Sequence, residues 1–180
     1  MISIEEALSR ILSYVDVLSA EKKPLVDALG QVLAEDVSSS FDIPPLDNTA
    51  MDGYAVRAAD TTGASAEAPV QLRVIGEVAA GYTFDGGIVP GTAVRIMTGA
   101  PVPGGADAIV PFEETDEPFE TAPSGARRLT ADVKVLKAAQ PGANIRRAGE
   151  DLRAGQVVVS KGTVLRPRKS ASSLQSGQRP

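Results

Sequence analysis

The 180 residues carry a formal net charge of −5 and include thirteen Pro and seventeen Gly but no Cys and no His. No disulfide framework, structural zinc site, thiol nucleophile or Ser-His-Asp triad can be built from such a chain. A metal held here must be a hard cation on oxygen ligands, Mg²⁺ first among them, and proton transfer near neutral pH would fall to a shifted carboxylate or Lys. Interspersed charges argue against a nucleic-acid or anionic-membrane surface. No apolar run reaches the roughly 18 residues of a membrane span, and Glu5 and Glu6 stand where an export signal is basic. The expectation is a cytoplasmic protein with no nucleic-acid or membrane partner.

Ser3-Ile4-Glu5-Glu6 matches the S-x-x-E capping box, and Ile4, Leu8, Ile11, Leu12 and Val15 follow at helical spacing, which predicts an amphipathic helix over 3–17. Pro24 opens a shorter helix over 25–29 that Gly30 stops, and residues 32–37 read as a strand. Both helices read as core-packing elements without chemistry.

The stretch 41–60, FDIPPLDNTAMDGYAVRAAD, is more loaded. Pro44-Pro45 fixes two φ angles and removes two donors, so the chain arrives extended. Asp47, Asn48 and Thr49 offer short polar side chains, Asp52-Gly53 turns the chain, and Tyr54 begins a strand. Stiff loops between strands often carry binding groups, and an ordinary turn held by side-chain-to-backbone bonds is the competing reading.

Further strands are predicted over 70–78, 92–97, 106–112 and 133–136, with turns at 79–81 and 86–87 between the first two. A Pro- and Gly-rich loop at 98–105 and a solvated acidic run at 113–117 interrupt the rest. This spacing describes a small barrel or sandwich over 46–139. Arg146-Arg147 followed by Glu150-Asp151 could hold an oxyanion and a cation, or pair with each other. Residues 155–159 and 163–165 read as a hairpin. Nothing matches a phosphate loop or a G-x-G-x-x-G turn.

In order and spacing, DNTAMDGYAVRAAD, GTAVRIMTGAPVPGGADAIVPFEE and GANIRRAGEDLRAGQVV resemble the N-terminal half of the molybdopterin molybdenumtransferases, the family related to the gephyrin E domain. The resemblance implies a β-rich α+β fold in which an elongated helix/strand domain, residues 1–45 with 140–167, carries an inserted β-rich domain at 46–139. It implies insertion of molybdate into adenylylated molybdopterin, with release of AMP and molybdenum cofactor, assisted by Mg²⁺ or another hard divalent cation. A homodimer with its active site shared between subunits is implied too. Matched position by position, Asp52, Thr98 and Asp151 are the candidate catalytic residues. Asp52 and Asp151 would organise the cation, directly or through water, and the Thr98 hydroxyl would bond an oxyanion. Asn48, Arg146, Arg147 and Glu150 are weaker candidates for substrate contacts.

The tail RKSASSLQSGQRP at 168–180 departs from the family pattern. One synonymous codon choice, read two bases later, yields Glu-Ile-Gly-Val-Leu-Ala-Ser-Ile-Gly, so the tail is expected to arise from a frameshift and to be disordered. On this expectation the molybdopterin-binding domain is missing, the fragment is inactive alone, and the apolar stripe of the first helix is exposed. A non-enzymatic dimerisation or scaffold module derived from the family is the alternative.

Overall fold

The protein's computed structural model describes residues 2–117 and 131–167, so the tail set apart at 168–180 lies outside the described residues. Strands dominate, as a β-rich α+β fold requires. Two compact units divide the chain, one up to Ser40 and from Gly155 onward, the other Phe41–Ala154. Residues 41–45 and 140–154 therefore group with the β-rich unit, because their bonds run to each other: Ile43 bridges Leu152, and the Gly149 amide donates to Pro44 O at 2.9 Å.

In the first unit, α1 (Ile4–Leu12) is capped as its sequence predicts, the Glu6 amide donating to Ser3 Oγ at 3.1 Å. It ends five residues short of the predicted 17. The Ser13 hydroxyl bonds back to Arg10 O at 2.7 Å, and the Tyr14 and Val15 amides tighten to i−3 partners. The second helix shrinks to a 3-10 turn, Leu25–Asp27. Neither packs a core: α1 buries no residue, and Ile4 is 83% exposed.

The expected hairpin is also replaced. β1 (Val37–Ser38) pairs antiparallel with β9 (Val157–Val159), and Val32 bridges Val164. Both C-terminal segments thus pair with the 32–38 stretch instead of with each other. The Lys161 amide, bonded to Asp36 Oδ1 at 2.6 Å, fixes the turn between them.

The second unit is built on a five-stranded sheet ordered β6–β3–β5–β4–β7, from β3 (Gly53–Val56), β4 (Val70–Val78), β5 (Thr92–Ile96), β6 (Ala108–Pro111) and β7 (Asp132–Val135). Only β4 and β5 run parallel, their crossover occupying residues 79–91. The edge strands approach each other where Thr115 bridges Val135 and the Asp116 amide donates to Lys134 O at 3.0 Å, so the sheet curls into a partly closed barrel. Both faces are covered. Tyr54, Val56, Leu72, Ala93, Val110 and Val133 fill one side, and Ala55, Val78, Val94, Ile96 and Ile109 the other. That is why β3, β5 and β6 are buried at every position instead of alternating.

Of the acidic run, Glu113 and Asp116 stay exposed as expected, but Glu117 does not. Glu117 turns toward Arg95, which is 4% exposed, and accepts from its Nε at 3.2 Å and Nη2 at 3.1 Å. The Tyr54 hydroxyl donates to the other Glu117 oxygen at 2.6 Å, Glu77 takes Arg95 Nη1 at 2.7 Å, and the guanidinium lies 4.5 Å above the Phe112 ring. Burial works against the Arg95 charge, but the bonds and charge of Glu117, with those of Glu77, outweigh it and hold its pKa above the ordinary value.

Candidate active site

A two-residue strand organises the loaded loops. β2 (Asn48–Thr49) pairs antiparallel with β8 (Ile145–Arg146), setting Asn48 opposite Arg146 and Thr49 opposite Ile145. On its other edge runs the 98–102 loop: the Gly99 amide donates to Thr49 O at 3.0 Å, the Thr49 amide to Ala100 O at 3.1 Å, and the Val102 amide to Asp47 O at 3.0 Å. Segments from around positions 48, 100 and 145 are thereby hydrogen-bonded side by side. The loop polars do make local turns, as the simpler reading expects: Thr49 Oγ1 donates to Met51 O at 2.5 Å and accepts from the Met51 amide at 3.1 Å. That turn aims Asp52.

Asp52 Oδ1 accepts from the amide and from the hydroxyl of Thr98, each at 2.7 Å. The single Thr98 hydroxyl proton is committed to this carboxylate, so an oxyanion would have to compete for it. The geometry makes Thr98 a group that orients Asp52. Both residues are exposed. Gly53 follows because nothing larger fits: a Cβ there would stand 2.1 Å from Val110 O.

Arg146 Nη2 donates to Asp151 Oδ2 at 2.5 Å, the two side chains being 40% and 52% exposed. Of the sequence candidates, then, Asp52 meets Thr98 on one flank of β2, and Asp151 meets Arg146 on the other. Arg147 and Glu150 turn elsewhere. Glu150 Oε2 accepts the Arg147 amide at 2.9 Å, closing its own loop, and Arg147 Nη1 donates to Asp47 Oδ2 at 2.6 Å. Each guanidinium has further N–H donors beyond the one so engaged. Asn48 Oδ1 is buried without a hydrogen-bond partner among the described residues, a costly state for an acceptor.

Asp47 belongs to this group although sequence reasoning leaves it as a loop polar. Its Oδ1 accepts the Ala148 amide at 2.8 Å, and that bond, followed by the one from Arg147, holds its carboxyl below the ordinary value. No local signal marks it, since its partners lie about a hundred residues away in the chain.

Among the described residues no three His, Cys, Asp or Glu gather into a metal-holding group. Asp52 and Asp151 each offer hard oxygen donors of the type that binds divalent cations.

A family model described as the MoeA N-terminal region (domain I and II) matches residues 2–177, a range that takes in ten of the thirteen residues of the tail set apart above. A molybdopterin molybdenumtransferase 2 from Mycobacterium tuberculosis is 46% identical over 144 residues, 80% of this chain and 33% of its own length. The molybdopterin molybdenumtransferase of Staphylococcus aureus is 36% identical over 166 residues, 92% of this chain and 37% of its own. The crystal structure of a molybdopterin biosynthesis moeA protein from Pyrococcus horikoshii superposes with a TM-score of 0.81 at 39% identity, covering 97% of this chain and 44% of that one. The chain spans about a third of the length of the curated relatives it matches.

Proposed function

The chain belongs to the MoeA N-terminal family and so to molybdenum cofactor biosynthesis, and we propose that it supplies the Asp52–Thr98 and Arg146–Asp151 elements of a site that inserts molybdate into adenylylated molybdopterin, releasing AMP. The observation that carries this reading is the stitching of the 98–102 loop and β8 to the two edges of β2, which holds both carboxylates on one short strand's flanks. In this reading Thr98 orients the Asp52 carboxylate, and Arg146 orients that of Asp151. Further N–H donors of Arg146 and Arg147 would meet phosphate or molybdate oxygens. Asp52 and Asp151 would hold Mg²⁺ together with waters, and the bound cation would offset negative charge on the phosphates.

The chain works, on this reading, in the cytoplasm as half of a homodimer whose site draws on both subunits. The pterin and nucleotide contacts would come from sequence beyond the third that the relatives share with it. The test is synthesis of molybdenum cofactor from adenylylated molybdopterin and molybdate, with this chain supplied alongside the C-terminal two thirds of a relative. Asp52→Ala and Asp151→Ala should each abolish product while the circular dichroism spectrum stays unchanged. Full turnover in both variants would refute the reading. A dimer that binds no adenylylated molybdopterin under any of these conditions would point to a scaffold instead.

A further inference from the structure

The Asp47 carboxylate joins two segments a hundred residues apart, through Arg147 Nη1 at 2.6 Å and the Ala148 amide at 2.8 Å. Its backbone carbonyl takes a third segment, the Val102 amide at 3.0 Å. The loop it grips is short and closed on itself: the Glu150 amide returns to Arg147 O at 3.0 Å, and Glu150 Oε2 takes the Arg147 amide. The far end of this loop is tied as well, the Asp151 amide donating to Ile43 O at 2.9 Å. A loop so closed moves as a piece, and its near end is held to β2 through the Asp47 side chain and the β2–β8 pairing.

Asp47 and Arg147 side chains are 40% and 60% exposed, and an exposed ion pair contributes little to global stability. What the contact fixes is geometry. Accepting a charged donor and a backbone amide from one loop on two oxygens of one carboxylate sets both its distance and its angle.

We infer that Asp47 is a positioning residue: it sets the 147–151 loop, and with it the Arg146–Asp151 pair, against the strand that leads into Asp52. This rests on the reaction proposed above, in which Asp52 and Asp151 act together. Asp47 itself touches no reacting atom. Displacing the loop leaves every proposed substrate-contacting group present but misaligned, which lowers turnover and spares ground-state binding.

The experiment compares Asp47→Asn with wild type and Asp52→Ala, in the reconstituted synthesis and by backbone amide NMR of the full chain. Asp47→Asn keeps the shape and an acceptor oxygen but loses the charge facing Arg147. The expected result for Asp47→Asn is a drop in kcat of about tenfold to a hundredfold with KM little changed. Shifts in the amide resonances of residues 146–151, in a variant that stays folded at the assay temperature, should accompany it. Wild-type kcat in Asp47→Asn while Asp52→Ala is dead would overturn the inference and leave the proposed reaction standing. A rise in KM at constant kcat, or a loss explained by a lowered melting temperature, would overturn it too. Failure of the proposed reaction itself shows separately, as an Asp52→Ala variant that matches wild type.

Discussion

The Asp52 carboxylate receives both the amide and the hydroxyl of Thr98, forty-six positions further along, at one oxygen and at equal distances of 2.7 Å. The two bonds can be separated by mutation. Thr98→Ala removes the hydroxyl and leaves the amide, whereas Asp52→Ala removes both and releases the loop from the turn before β3. Both side chains are solvent-exposed, so values at the low end for charged acceptors apply: about 1 kcal/mol for Thr98→Ala and about 2 kcal/mol for Asp52→Ala. Urea denaturation of the three proteins measures the difference. Equal losses in the two variants would mean that the amide bond contributes nothing.

Arg95 and Glu117 set a sharper contrast. Their side chains are 5% and 12% exposed, whereas Glu77, the other partner, is 38% exposed. Arg95→Met fills the space but removes the guanidinium that the Glu117 carboxylate faces, leaving that carboxylate with the Tyr54 hydroxyl among its partners. Removing one member of a buried pair costs about 3–5 kcal/mol. Glu77→Gln should cost about 1 kcal/mol or less, because water already reaches that carboxylate. A melting-temperature comparison decides the matter, and similar losses in the two would show that Glu117 is not the partner that matters.

That cluster also shows where the sequence is legible and where it is not. β4 runs over 70–78 as its composition predicts, and β5 and β7 fall within one residue of expectation at each end, because Val- and Ile-rich runs between turn residues signal strands locally. The acidic run at 113–117 reads as solvent-facing, and nothing local marks Arg95 as the partner of its last residue. Glu117 turns inward only because the segment after β6 folds against β7 and brings it to Arg95, a relation between residues 22 positions apart. β2 and β8, two residues each, carry no periodicity at all, and neither does the link from Asp47 to Arg147. Asp52, Thr98, Arg146 and Asp151 could be named in advance through family resemblance; the Asp52–Thr98 contact depends on long-range pairing that no local pattern encodes, whereas Arg146 and Asp151, five positions apart, pair as one reading of their cluster expects. The first helix is the reverse case. Its apolar spacing and its cap predict it well, and its stripe is exposed as expected for the fragment, so the reading of it as a core-packing element fails.

Gly53 offers a test of how tightly the turn at Asp52 is built into the sheet. Its backbone lies between β5 and β6, opposite Ile96 on one side and Pro111 on the other. A methyl group there would meet Val110 O at 2.1 Å and Pro111 Cα at 2.9 Å, both backbone atoms that cannot rotate away. Gly53→Ala should therefore destabilise by about 3 kcal/mol or more and displace Asp52 with it. Gly63 is the control. Its φ of +79° disfavours a side chain, but a Cβ would meet nothing within 4 Å, so Gly63→Ala should cost about 1 kcal/mol through backbone strain alone. Chemical denaturation gives both values, and a Gly53→Ala protein as stable as Gly63→Ala would contradict the close strand contact.

Asp47 predicts a pH dependence whose sign follows from its partners. The Ala148 amide and then Arg147 favour the ionised carboxylate in the folded chain, placing its pKa below the ordinary value of 3.8. In the unfolded chain those partners are gone. Between the two values the unfolded state binds the proton and the folded state does not, so stability rises with pH across that window. The contribution is complete above about pH 5 and disappears as pH falls through the lower folded value. Asp47→Asn has no such group, so the stability gap between wild type and variant should be constant from pH 7 to about 5 and narrow below about 4. Urea denaturation at each pH measures that gap directly, and subtracting the two curves cancels every other carboxylate common to both proteins. A gap that widened on acidification would mean that the folded state holds the Asp47 proton more tightly than the unfolded one, the opposite of what an amide and a guanidinium at 2.8 and 2.6 Å impose.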